Sequence, residues 1–136
     1  MNRMHILKTG KNRYVLSNGK NNISQMEIDK EEDVRNLYFI YNVETNPSYR
    51  HRGYAYTLLK RVLDSIRSKN NNAVFYLAVS VNNIAAIHLY EKLGFSKRIK
   101  FSEDGKNYYC MTTGRGWMLN KIVDMYKHSY TDAIAI

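Results

Sequence analysis

Residues 47–56 read Pro47-Ser48-Tyr49-Arg50-His51-Arg52-Gly53-Tyr54-Ala55-Tyr56. Two arginines flank a histidine, and small residues stand at Gly53 and Ala55, where a helix is about to begin. A helix start leaves its first N–H groups without intrahelical partners, and its dipole favours negative charge there. Glycine and alanine keep side chains clear of those N–H groups, while guanidinium groups match phosphate oxygens. The pattern points to a cradle for pyrophosphate. It is neither GxxxxGK followed by Ser or Thr nor GxGxxG, so the phosphate loops with those spacings are excluded. An ordinary basic helix start with a packing glycine would share these features.

A strand must precede that cradle and a helix must follow it. Residues 37–43 are aromatic and β-branched, apolar on both faces, and read as a central strand. Residues 53–68 place Leu58, Leu59, Val62, Leu63 and Ile66 at helical spacing. Upstream, 5–8, 13–16 and 23–28 read as strands, with Asn18-Gly19 as a hairpin turn and 30–35 as a charged turn. Downstream, 74–79 is a buried strand. A helix over 83–93 aligns Ile84, Ile87, Tyr90 and Leu93, and Gly94 is its left-handed cap. A strand pair over 95–101 and 107–112 turns at Glu103-Asp104-Gly105. A last amphipathic helix over 117–128 sets Trp117, Met118, Ile122, Met125 and Tyr126 on its apolar side, and the final six residues are expected to fray. The result is a mixed α/β fold with a mostly antiparallel sheet. The strands at 37–43 and 74–79 should be parallel, joined by a right-handed crossover. Ligands of such strands bind at their carboxyl ends, here 43–56 and 79–83.

The chain has 136 residues and one cysteine, Cys110. That length predicts one domain over 1–136, with 115–136 as a helical extension. A single thiol excludes internal disulfides, and the four histidines show no ligand spacing, so no metal is expected. No apolar run is long enough for a membrane span, and Met1-Asn2-Arg3-Met4-His5 leads into no secretory signal. A cytoplasmic protein is expected. The net charge of +9 favours an anionic partner. The basic residues are dispersed, with no run of five, so nucleic acid is not the favoured partner.

A second segment narrows the ligand. Asn83, Ala86, Tyr90, Gly94 and Phe95 stand in the order N-x-x-A-x-x-x-Y-x-x-x-G-F, downstream of Arg50-x-x-Gly53-x-Ala55. Together these resemble motifs B and A of the GNAT superfamily of acetyl-CoA-dependent N-acetyltransferases. The resemblance runs from about residue 37 to 112. It implies a parallel strand pair that splays to admit the pantetheine arm of acetyl-CoA. Backbone groups of Val43 and Thr45 would then bond the pantetheine amides. The N–H groups of His51, Arg52, Gly53, Tyr54, Ala55 and Tyr56 would take the pyrophosphate, with Arg50 and Arg52 alongside. Asn83 would bond the pantetheine side. Tyr90 would protonate the departing thiolate, the phenol near pKa 10 lying close to the thiol near 8.5; a core aromatic on the helix stripe is the other reading of Tyr90. His88, two positions from Tyr90, reads as a surface residue.

The sequence also departs from the family. Phe39 stands where many members carry a base, Ala78 where some N-terminal acetyltransferases carry His, and Tyr41, on Phe39's face, could act through water. A site without a strong base suits an α-amine: near pKa 7.8 it is about 14% neutral at pH 7, against about 0.04% for a lysine amine near 10.4. Lys106-Asn107-Tyr108-Tyr109 resembles a segment of protein N-terminal acetyltransferases of the ribosomal-protein alanine type, in which Tyr108 and Tyr109 would hold the substrate peptide. A generic tyrosine-rich strand is the alternative in a chain with 12 Tyr. The two helices that the family inserts between its first strands are missing, and the helix at 117–128 is expected to fill their place or to close a dimer. The expected partners are acetyl-CoA and an amine acceptor, with no membrane, in a monomer or homodimer. The alternatives are a CoA-binding module with little catalysis and a basic nucleic-acid-binding domain.

Overall fold

Alternating apolar and polar residues build the first strands. The computed structural model describes residues 3–136, so the reading of Met1 and Asn2 lies outside the described residues. Strand β1 (His5–Thr9) turns through Gly10 and Asn12 into β2 (Arg13–Ser17), which pairs with β3 (Asn22–Lys30), which pairs with β4 (Leu37–Thr45), all antiparallel. A turn of three residues between β1 and β2 leaves no room for a helix there, as expected. After a 3-10 turn at Pro47–Tyr49, helix α1 (Tyr54–Lys69) lays Leu58, Leu59, Val62 and Leu63 on β2, β3 and β4. Those four are buried with Leu16, Ile23, Met26 and Ile40.

Strand β4 is not regular. Gln25 pairs with Glu44 but Glu27 pairs with Tyr41, so β4 carries one extra residue. Asn42 sits at φ +49°, and its carboxamide donates to Glu27. Asparagine is among the few residues that tolerate this conformation, and the sequence reading of β4 as an uninterrupted strand missed it.

Backbone contacts gather into two units, one ending at Ala73 and one beginning at Val74. In the second, β5 (Val74–Ser80) pairs with β7 (Lys106–Thr112), and β7 with β6 (Ser96–Glu103), all antiparallel. Helix α2 (Ile84–Lys92) closes through Gly94 at φ +93°, with the N–H of Phe95 on the Tyr90 carbonyl at 3.0 Å and that of Gly94 on Glu91 at 3.1 Å. This is the glycine cap expected from the sequence. The fold is mixed α/β and mostly antiparallel.

Three expectations are corrected. Ile84 heads α2 from the exposed side and does not join its buried stripe. In α3 (Gly116–Ser129), Ile122 and Tyr126 are buried against β6 and its neighbours, whereas Trp117 is 71% exposed. Trp117 stands in the first turn of the helix and faces solvent. Finally, the chain end does not fray. Strand β8 (Ile134–Ala135) pairs with Ile99 and Lys100 of β6, and the Ile136 N–H reaches the Arg98 carbonyl at 2.9 Å. Two side chains secure it: the Tyr130 ring lies 4.5 Å from Phe101, and Asp132 accepts from the Ser102 hydroxyl and from its N–H.

The buried stripe of α3 predicts that the extension is part of the second unit's core. Ile122→Ala should lower stability by about 2–4 kcal/mol in urea unfolding. Trp117→Ser should change it by less than about 0.5 kcal/mol. Equal effects of the two would show that α3 is only loosely attached.

Candidate active site

The end of β4 and the start of α1 are joined by residues fixed in unusual conformations. Asn46 caps the 3-10 turn by accepting from the Ser48 N–H at 3.1 Å, and Pro47 presets the next φ. The Tyr49 hydroxyl accepts from Asn21 at 3.1 Å, tying this turn to the β2–β3 hairpin, and its ring meets Tyr54 edge-on. His51 at φ +64° and Gly53 at φ +80° then turn the chain into α1. No side chain caps α1, and no acidic residue stands in its first turn. Its first internal bond is Thr57 N–H to the Gly53 carbonyl at 3.1 Å. Among the described residues, nothing bonds the backbone N–H groups of His51, Arg52, Gly53, Tyr54, Ala55 or Tyr56. These are the groups the sequence singled out. Arg50 is beside them, its Nε donating to the Thr45 carbonyl at 3.1 Å. The guanidinium is thereby anchored to the end of β4, and one lone pair of Thr45 is already used. Arg52 is exposed.

On β4, Phe39 and Tyr41 share a face, as alternation requires: their rings stack at 5.5 Å and 13°. The Tyr41 hydroxyl donates to Asp29 Oδ1 at 3.1 Å, and the Asn12 carboxamide donates to the same oxygen. Partial desolvation, then the Asp29 bond and charge, then Glu27, raise the Tyr41 phenol above its ordinary range. The sequence reading found Tyr41 but not Asp29, because the link depends on cross-strand register.

In the second unit, Asn83 caps α2, its Oδ1 accepting from the Ala86 N–H at 3.2 Å. Its NH₂ group remains as a donor. Tyr90 is 7% exposed, with its ring 6.0 Å from Phe95. Burial pushes the Tyr90 phenol up to about 12, away from the match with a thiol near 8.5 expected from the sequence. Among the described residues its hydroxyl has no hydrogen-bond partner, and the oxygen reaches solvent. His88 is exposed, as expected, and so is Ala78. Tyr108 and Tyr109 lie on opposite faces of β7. Tyr108 stacks on Phe101 at 5.5 Å in a cluster with Tyr126 and Tyr130, while Tyr109 lies under the Lys97 ammonium at 4.9 Å. The pair therefore shares no single surface. Among the described residues, no three His, Cys, Asp or Glu side chains are placed to hold a metal ion, and no helix is long and apolar enough to cross a membrane.

The model of the acetyltransferase (GNAT) family matches residues 7–95. The chain belongs to this family. Over 76 residues it is 36% identical to the ribosomal protein bS18-alanine N-acetyltransferase of Escherichia coli strain K12, covering 56% of this chain and 48% of that one. It is 37% identical over 76 residues to the N-alpha-acetyltransferase of Saccharolobus solfataricus, covering 53% and 45%. The chain thus spans about half the length of the curated relatives it matches. The crystal structure of spermidine N-acetyltransferase from Vibrio cholerae in complex with CoA and spermine aligns with a TM-score of 0.64 at 27% identity, over 74% of this chain and 63% of that one. The cradle residues and Tyr41 fall inside the span matched to the GNAT family, as do Asn83 and Tyr90; Tyr108, Tyr109 and α3 lie beyond it.

The raised phenol has a consequence for stability. Tyr90 ionises near 10 when unfolded and near 12 when folded, so between those values the folded chain holds more protons and stability falls as pH rises. Buried Cys110, pushed up to about 12, acts in the same sense from about pH 9 upward. Tyr90→Phe should remove about 2 kcal/mol of the loss between pH 10 and 12, about 1 kcal/mol of it by pH 11. Urea unfolding at pH 8, 10 and 11 measures this; parallel losses in both proteins would show that Tyr90 ionises normally.

Proposed function

We propose that this chain transfers an acetyl group from acetyl-CoA to a primary amine by direct attack, with a peptide or protein α-amine as acceptor. The observation that carries the reading is the run of unpartnered N–H groups from His51 to Tyr56 at the start of α1. Such a run fits a pyrophosphate: successive unpartnered donors stand at one helix start, the helix dipole adds positive potential, and Arg50 and Arg52 supply charge. Backbone groups of Val43 and Thr45 would bond the pantetheine amides, and the Asn83 NH₂ would add a donor. Bound acetyl-CoA would supply the activated thioester.

Tyr90 is the proposed acid, its hydroxyl available to the leaving sulfur. A phenol near 12 stays protonated throughout the working pH range. Phe39 and Tyr41 would meet the acceptor, together with Tyr108 or Tyr109, but not both for one peptide. Direct attack needs a neutral amine. Deprotonating a lysine or polyamine at pH 7 costs about 3.5 kcal/mol more than deprotonating an α-amine, a difference of ~2.6 pK units. With Phe39 at the family's base position, the cheaper acceptor is favoured. Phe39 equally favours a second reading, a CoA-binding module with little catalysis.

A thermal-shift titration and a turnover assay test both readings. Acetyl-CoA at about 100 times its Kd should stabilise the chain by about 2.7 kcal/mol, several degrees in Tm. Tyr90→Phe should cut kcat by about 10²-fold while leaving that shift intact. An alanine-first peptide should exceed spermidine in kcat/KM by at least about tenfold. A shift with no turnover would select the binding module; no shift at millimolar ligand would end both readings.

A further inference from the structure

Two carboxylates face Tyr41 from β3. Glu27 lies opposite Tyr41 and Asp29 opposite Phe39, on the same face. Their bonds differ. Glu27 is held by the Asn42 carboxamide at the bulge. Asp29 takes the Tyr41 hydroxyl itself, at 3.1 Å, and the Asn12 carboxamide. Across the sheet Arg13 stands opposite Glu27 on β2, but its guanidinium is turned to Gln25 Oε1 and Thr9 Oγ1. Among the described residues, neither carboxylate forms an ion pair. Asp29 is thus bonded only by neutral donors, and one of these is an ionisable phenol.

We infer that Asp29 is a positioning residue for acetyl transfer, which receives the acceptor's proton through Tyr41. The inference rests on the acetyl-transfer reading above. As the amine nitrogen bonds the thioester carbon, its N–H proton passes to Tyr41 Oη, and the Tyr41 proton passes along the existing bond to Asp29 Oδ1. Collapse of the tetrahedral adduct breaks the C–S bond, and Tyr90 gives its proton to the sulfur. Water then takes the proton from Asp29 and restores that of Tyr90. Acetyl-CoA and a neutral amine become the amide and CoA. Tyr41 remains neutral at the end of each transfer, so its raised phenol range does not obstruct the relay. Asp29 also orients the hydroxyl, leaving a lone pair of Oη for the amine.

The test uses Asp29→Asn, Tyr41→Phe and the double variant, assayed from pH 6 to 9 with acetyl-CoA and an alanine-first peptide by CoA release. Asparagine keeps an acceptor oxygen for both Tyr41 and Asn12 but takes up no proton, so the fold and the CoA thermal shift should be unchanged. Each single variant should lower kcat by about 10²-fold with little change in KM for acetyl-CoA. The double variant should be no worse than either single one, because the two act as one path. In Asp29→Asn, the loss should shrink as pH rises and more amine is neutral. A kcat within about twofold of wild type with the same pH profile would overturn the relay, as would losses that multiply in the double variant. If the wild-type chain itself neither shifts with acetyl-CoA nor acetylates the peptide, the acetyl-transfer reading fails first and the relay with it.

Discussion

A helix that begins without a cap must leave its first N–H groups to another partner, and much of this chain's first unit is arranged to hold such a beginning in place. Helix α1 cannot shift, because four consecutive-turn side chains are buried on β2, β3 and β4. The segment before it cannot relax into a capped start either. Gly53, at φ +80°, carries no side chain to cap with, and His51 is also left-handed. Pro47, Asn46 and the Tyr49 hydroxyl fix the turn that delivers them. A serine or aspartate caps a helix from an extended φ, and at Gly53 either would be strained by the left-handed backbone, so this position keeps the donors open. The absence of acidic residues in the first turn keeps the local potential positive.

The bulge in β4 serves the other part of the candidate site. An extra residue at Asn42 changes the register between β3 and β4, so Tyr41 comes opposite Glu27 while Glu44 stays opposite Gln25. The Asn42 side chain then bonds Glu27 and draws that carboxylate to the bulge. Asp29 is left as the partner of Tyr41. A single residue in an uncommon conformation therefore decides which of two acids meets the phenol.

Most of this architecture was legible in the sequence. The strands and helices lie within a residue or two of their expected limits, since Leu58, Leu59, Val62 and Leu63 repeat at helical spacing and Ile23, Met26 and Ile28 are apolar where the strand meets the core. The cradle was legible because its signal is local: arginine, glycine and alanine at fixed offsets. What escaped depends on contacts distant in sequence. Asp29 reaches Tyr41 across 12 positions, and only the register joins them. The chain end looked free because it is a terminus whose apolar run is too short to read as a strand. It is ordered by Tyr130 on Phe101 and Asp132 on Ser102, pairs separated by about thirty residues that no periodicity reveals. Trp117 and Ile84 looked buried because apolar spacing says which side a residue takes, not where the neighbouring surface ends.

Tyr90 shows how burial changes the role a residue type suggests. An exposed phenol near 10 could pass its proton to a thiolate near 8.5 at a cost of about 2 kcal/mol. Held near 12 by burial, it would pass that proton completely only against about 5 kcal/mol. Under the proposed reading, the hydroxyl therefore acts mainly as a hydrogen-bond donor to the charge that develops on sulfur, with full transfer following as the C–S bond opens and water enters. A donor of this kind works by being close and unpartnered; the Tyr90 ring is packed on Phe95, and its hydroxyl has no partner among the described residues. The same burial that weakens Tyr90 as an acid holds its ring in place, and under the proposed reading this leaves the hydroxyl free to turn toward a leaving thiolate.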